Sequence, residues 1–223
     1  MADGKLRVAV VGCGMIANSA HIPAWQSQRG AEVVGVMDTD LGRARATAGK
    51  HAVPGVFDDV DKMLNELAPD VVSVCTPAGC HKAHAEAALR AGAHVLCEKP
   101  LAITSREAAD IFRAAEEAGR HLLVGQSMRF YNQVAAAKAF AADGQLGELY
   151  CADAARLRRR GIPTHGSFHI RKLSGGGVLV DLGAHMLDIV LWIMGNPKVV
   201  AVSGATYSKI GTRNENLITS SVE

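Results

Sequence analysis

Leu6-Arg7-Val8-Ala9-Val10-Val11 runs straight into Gly12-Cys13-Gly14-Met15-Ile16-Ala17. A six-residue apolar-rich run that ends in glycine is too short for a core helix and reads as a buried strand. After it, Gly12 suits a tight turn, Gly14 lets a ligand approach the backbone, and the small Ala17 allows close helix–strand packing. Met15 and Ile16 open the following helix, whose free N–H groups and positive dipole favour a pyrophosphate. Working outward, Glu32–Met37 reads as a second strand closed by Asp38, 24 positions after Gly14. A carboxylate there suits the two ribose hydroxyls of NAD and repels the 2′-phosphate of NADP, while Arg43 is the residue that would admit NADP. A structural turn with a helix-capping aspartate is the plain alternative.

Further strands are expected at Asp70–Cys75, His94–Cys97 and His121–Val124, with helices at Leu41–Ala48, Lys82–Arg90 and Ser105–Ala118. Gly92 and Gly119 stand where helices should stop. Strand–helix alternation with short connections predicts an α/β domain, a doubly wound parallel Rossmann sheet over residues 1–127. The pattern changes near residues 126–130. Residues 128–223 read as an α+β domain, with a helix at Val134–Ala142, a long strand at Leu149–Leu157, a helix at Val178–Met194 and a strand at Val199–Tyr207.

The 223 residues carry 24 Lys and Arg against 22 Asp and Glu, a net charge of +2. That balance argues against a nucleic-acid or membrane-surface binder. Five cysteines (Cys13, Cys75, Cys80, Cys97, Cys151) and a start of Met1-Ala-Asp-Gly-Lys with no apolar segment suggest a cytoplasmic protein with reduced thiols. Asp181 and Asp188 interrupt the longest apolar stretches, so no membrane span is expected. Cys75, Cys80, His81 and His84 have short zinc-like spacings, but a tetrahedral site would distort the Thr76-Pro77 turn, and no metal is expected. Cys13 reads as a small filler in its loop, oxidation-sensitive only if exposed. The basic run Arg156, Arg158, Arg159 and Arg160 reads as a solvated or domain-pairing segment.

Cys97-Glu98-Lys99-Pro100, placed after a strand, resembles the Glu-Lys-Pro motif of the Gfo/Idh/MocA oxidoreductases, which include glucose-fructose oxidoreductase and inositol 2-dehydrogenase. Thr76-Pro77, His81, His84, Ala91-Gly92 and His94-Val95 match that family in order and spacing. So do Arg129-Phe130, Gly175-Gly176-Gly177, Asp181-Leu182-Gly183-Ala184-His185 and Asp188. The resemblance implies that Lys99 reaches the substrate hydroxyl and the nicotinamide region. It also implies that His185 is an acid/base group supported by Asp181, and that the second domain is built on an open, mostly antiparallel sheet that forms the oligomer contact. Thr76, Pro77, His81 and Glu98 join Gly12, Gly14, Met15, Ile16, Ala17, Asp38 and Lys99 as cofactor-side residues. The resemblance places Arg129, His165 and His169 on the substrate side as an expectation.

Independently of the family, a histidine with an ordinary pKa of about 6.5 suits removal of a hydroxyl proton. Asp181, four residues before His185, shares its face if the segment is helical from Asp181 onward. A lysine supplies positive charge for a developing oxyanion. The plain alternative is Asp181 as a helix cap and His185 as a core residue. The resemblance implies an NAD- or NADP-dependent dehydrogenase of a sugar, inositol or related polyol, working as a dimer or tetramer. Its alternatives are an NAD-dependent glycoside hydrolase and a non-catalytic nucleotide sensor. It also implies further strands after Tyr207, so the chain is expected to be a fragment or a short form completed by a partner.

Overall fold

The computed structural model describes residues 4–157 and 170–207. They fall into two units, Met1–Gly125 and Gln126–Glu223.

The first unit is built on six strands, β1 (Leu6–Val11), β2 (Ala31–Met37), β3 (Gly55–Phe57), β4 (Val71–Val74), β5 (His94–Cys97) and β6 (Leu122–Val124). They lie in the order β3-β2-β1-β4-β5-β6, every neighbouring pair parallel. This is the doubly wound arrangement expected from the alternating pattern. The chain winds outward from β1 to β3, then crosses back beside β1 and winds the other way. Val11 pairs with Met37 and Val74, and Val74 with Cys97, so the carboxyl ends of these strands are level.

The β1 side chains explain why so short a run is a strand. Ala9 and Val11 enter one apolar cluster with Met63, Leu64, Leu89 and Ile111, whereas Val10 enters another with Ala17, Ile22, Ala44 and Ala48. Alternate residues therefore serve opposite faces of the sheet, and both faces are covered. Complete burial of each of Val8, Val10 and Val11 contributes about 1.5–3 kcal/mol.

The covering helices are α1 (Ile22–Gln26), α2 (Leu41–His51), α3 (Val60–Leu67), α4 (Ala78–Arg90) and α5 (Ser105–Ala118). A π-helical turn, Ala17–His21, precedes α1. Trp25 fastens α1 to the sheet, its indole N–H donating to the buried Ser73 hydroxyl at 2.8 Å. A reciprocal cap between Thr104 and Glu107 starts α5, and Gly119, with φ +62°, ends it.

Two elements of this unit, β3 and α3, lie outside the set expected from the sequence. Strand β3 is a three-residue edge strand behind Pro54, too short for alternation to show. Helix α3 ends at Ala68 (φ +43°), and α2 ends likewise at Ala52 (φ +53°). Neither end has the glycine by which helix ends are usually recognised.

The second unit contains a 3₁₀ turn at Ser127–Phe130, α6 (Asn132–Ala142), α7 (Arg171–Ser174), a π-helical turn at Leu179–Gly183 and α8 (Ala184–Ile193). The two strands expected at Leu149–Leu157 and Val199–Tyr207 are not formed within the described residues. A strand is held by ladder hydrogen bonds and cross-strand neighbours. No described segment supplies either, and Tyr150, Val200 and Val202 are about nine-tenths exposed. The helix expected at Val178–Met194 is present, but its first turn is π rather than α.

One run, Arg171–Ile193, is long and apolar enough to cross a membrane by length and composition alone, with a mean hydropathy of 1.6 in its best window. This corrects the expectation that Asp181 and Asp188 would exclude any such stretch. Length and composition are satisfied just as well by a core helix of a soluble protein.

Candidate active site

The loop after β1 is shaped by its first glycine. Gly12 has φ +92°, and a Cβ there would lie 2.9 Å from the Cys75 carbonyl carbon and oxygen and from the Thr76 methyl. The loops after β1 and β4 thus touch at the point where the winding of the sheet reverses, the usual ligand crevice of such folds. Gly14, by contrast, has no atom within 4 Å of where a Cβ would be, so its outer side is open to a close-approaching ligand. Ala17 is completely buried, as close packing at that position requires.

Asn18 ties the loop down from within. Its side-chain amide donates to the Cys13 and Gly14 carbonyls at 3.0 Å each and to the Thr47 hydroxyl at 3.1 Å. His51 Nε2 lies 3.1 Å from the Asn18 Oδ1 acceptor. Cys13 is buried, and burial first, then the Asp38 charge, push its thiol up to about 11. It fills space in the loop and is not a reactive thiolate.

Asp38 follows β2 directly and is buried beside the loop. Its Oδ2 accepts the Cys13 N–H at 2.9 Å and its Oδ1 the Asp40 N–H at 3.0 Å. The Arg43 guanidinium lies 3.4 Å from both oxygens and reaches Asp40 as well. Asp38 is therefore held in place by backbone donors, with a half-exposed arginine over it.

The loops after β4 and β5 carry the remaining residues of this unit. Pro77 caps α4, which carries His81 and His84 back under the loops. His84 Nδ1 is 3.1 Å from the Thr76 hydroxyl. His81 is 1% exposed, with Nε2 at 2.8 Å from the Thr76 carbonyl and Nδ1 at 2.8 Å from the Pro100 carbonyl. Its side chain thus ties two loops together from behind instead of lining their outer surface.

Glu98 accepts from His21 Nε2 at 3.0 Å through Oε1 and from the Lys99 N–H at 3.1 Å through Oε2. Burial pushes the Glu98 carboxyl up. The hydrogen bond and charge of His21, with the N–H and charge of Lys99, outweigh it and hold the group below its ordinary value. Lys99 itself is half-buried.

Gly12, Gly14, Met15, Ile16, Ala17, Asp38, Thr76, Pro77, Glu98 and Lys99 therefore gather at the carboxyl edge of one sheet. Asn18 and His21, which the sequence reading passed over, support them. Their only sequence signal is a position one helical turn beyond Gly14 and Ala17 respectively.

In the second unit, Asp181 sits in the π turn and His185 is the second residue of α8, both half-buried. The π turn alters the face-sharing expected of a regular α-helical four-residue spacing. Arg129, expected on the substrate side, forms a two-pronged ion pair with Asp188, Nε lying 2.7 Å from Oδ2. Its guanidinium also lies 5.4 Å from the Trp192 ring centre. Lys138 donates to the Trp192 carbonyl at 2.9 Å, at the carboxyl end of α8. His165, His169 and Arg158–Arg160 lie outside the described residues.

Comparison with known proteins accords with this geometry. The model of the oxidoreductase family with an NAD-binding Rossmann fold matches residues 6–126, and that of the GFO/IDH/MocA C-terminal domain matches residues 134–220. The D-glucoside 3-dehydrogenase of Escherichia coli (strain K12) is 39% identical over 213 residues, 96% of this chain and 61% of that protein. The crystal structure of an oxidoreductase domain protein from Kribbella flavida superposes with a TM-score of 0.74 at 31% identity, covering 86% of this chain and 53% of that one. GenD2 from gentamicin A biosynthesis, solved in complex with NAD, gives 0.74 at 26% identity over 86% and 54%. The chain spans between 52% and 61% of the length of the first curated relatives it matches.

Proposed function

The chain belongs to the Gfo/Idh/MocA oxidoreductase family, and on that premise we propose that it serves as an NAD-dependent dehydrogenase of a secondary alcohol on a sugar, inositol or related polyol. The observation that carries this reading is the meeting of the glycine loop, Asp38 and Lys99 along one sheet edge. The open side of Gly14 and the start of the helix after it suit a pyrophosphate. Asp38, oriented by the Cys13 and Asp40 N–H groups, suits the ribose hydroxyls. When bound, the nicotinamide supplies the acceptor for a hydride.

The chain's own residues manage the proton. As the carbinol C–H electron pair leaves and the C=O bond forms, the hydroxyl proton passes to His185, with Asp181 supporting the imidazolium. Lys99 stabilises the negative charge that develops on oxygen. The domain division proposed is 1–127 and 128–223, the second completed by an open, mostly antiparallel sheet. The match of residues 134–220 to the C-terminal domain model supports that division. A homo-oligomer formed through that sheet and a cytoplasmic location belong to the same reading.

Fluorescence titration with NADH and NADPH, followed by a polyol screen, tests it. Lys99→Ala is expected to reduce turnover by about 10³-fold while leaving NADH binding close to wild type. Undiminished turnover in that variant would remove Lys99 from the chemistry.

A further inference from the structure

Three histidines of the first unit, His21, His81 and His84, pack against the loops that carry the candidate site. His21 has the most direct line to Lys99. It arrives on the π-helical turn that follows the glycine loop, and it is 8% exposed. Its Nε2 meets Glu98 Oε1 at 3.0 Å, while the other oxygen of the same carboxylate accepts the Lys99 backbone N–H at 3.1 Å. Because the carboxylate accepts, Nε2 carries the proton. Nδ1 is buried and makes no hydrogen bond among the described residues. Glu98 is therefore the imidazole's polar contact.

Glu98 is engaged through both carboxylate oxygens. Gly125, the residue after β6, makes room for the carboxylate: a Cβ there would lie 3.2 Å from Oε1 and 3.3 Å from Cδ. The Glu98 N–H is in turn tied to the Val74 carbonyl at 2.9 Å. Beyond Lys99, the Pro100 carbonyl is held by His81.

We propose that His21 is a positioning residue for Lys99, acting through the Glu98 carboxylate. It links the helix that follows the glycine loop to the lysine loop, so that the segment shaped for the cofactor phosphates also sets the backbone of the lysine. The inference rests on the dehydrogenase reading for the purpose of the lysine. The linkage itself is a property of the free chain.

The test therefore begins without cofactor or substrate. The 223-residue chain is acetylated at trace conversion, and the rate at Lys99 is read by peptide mass spectrometry relative to the remote Lys62. An amine's rate follows its deprotonated fraction and its access, both set by its surroundings. His21→Leu is expected to change the relative Lys99 rate by about threefold or more, and His21→Gln, which again offers Glu98 an N–H, to return it towards wild type. In a Glu98→Gln background, adding His21→Leu should bring no further change, because the two act as one unit. If His21→Leu does not fold, His21→Asn, too short to reach Oε1, answers the same question.

In turnover assays the His21→Leu loss is expected in kcat, by about 10- to 100-fold, with NADH affinity nearly unchanged. A wild-type Lys99 rate in folded His21→Leu overturns the proposal. So does an effect that persists undiminished in the Glu98→Gln background. Failure of the dehydrogenase reading appears separately, as absent NADH binding or as unchanged turnover in Lys99→Ala.

Discussion

Asp38 and His81 show how differently two buried polar side chains can be used. Asp38 is oriented by two backbone N–H groups, yet Arg43 lies against it, so repulsion of a 2′-phosphate competes with a cation able to receive one. Asp38→Ser is expected to shift the NADPH-to-NADH affinity ratio towards NADPH by about tenfold, and adding Arg43→Ala to reverse most of that gain; paired fluorescence titrations read both. His81 is held below its ordinary value of 6.5 by burial, against the opposing pull of the Thr76 and Pro100 carbonyls. The folded protein therefore resists a proton that the unfolded chain accepts. Its contribution to stability is complete above pH 6.5 and is lost as pH falls through the lower folded-state value. His84, lowered by burial and by His81, acts in the same direction. The urea midpoint should accordingly fall between about pH 7.5 and pH 5.5, and His81→Gln should flatten that fall. The residue types at these positions were visible in the sequence. Their partners, separated by up to 77 positions for His21 and Glu98, were not.

At the scale of single elements, β1 and β5 have the bounds expected from their residues, as does α5. Each is bounded by a clear local signal: the turn glycine Gly12, the Glu-Lys-Pro loop and the Gly119 cap. Where the signal is weak, the reading thins. Strand β3 depends on β2 for its pairing, and α2 and α3 end on alanines in the left-handed region. The glycine loop is the element on which most rests. Gly12→Ala must relax both a positive φ and a 2.9 Å approach to the Cys75 backbone. It is expected to lose about 2 kcal/mol or more of stability and most NADH affinity, read by denaturant midpoint and by titration. A variant with unchanged midpoint and affinity would show that the loop adapts without Gly12.

Across the whole molecule, the first unit has its own two-faced core, whereas the described helices of the second include no fully buried side chain. Residues 1–127 expressed alone are therefore expected to unfold cooperatively and to bind NADH within about threefold of the 223-residue chain. Broad, non-cooperative unfolding of that piece would show that the two units stabilise one another. Periodicity and glycine placement were enough to indicate the parallel sheet, and the Glu-Lys-Pro, Gly-Gly-Gly and Asp-x-x-x-His motifs the family. Those signals are local, and each depends on residues a few positions apart. Other features required the chain to be folded: the tether from Asn18 to the glycine loop, the His21–Glu98 link to Lys99, the engagement of Arg129 with Asp188, and, among the described residues, the lack of ladder partners for Leu149–Leu157 and Val199–Tyr207. Each depends on which distant segments meet, and hydrogen bonds between them form only where the packed sheet and helices bring donor and acceptor within about 3 Å.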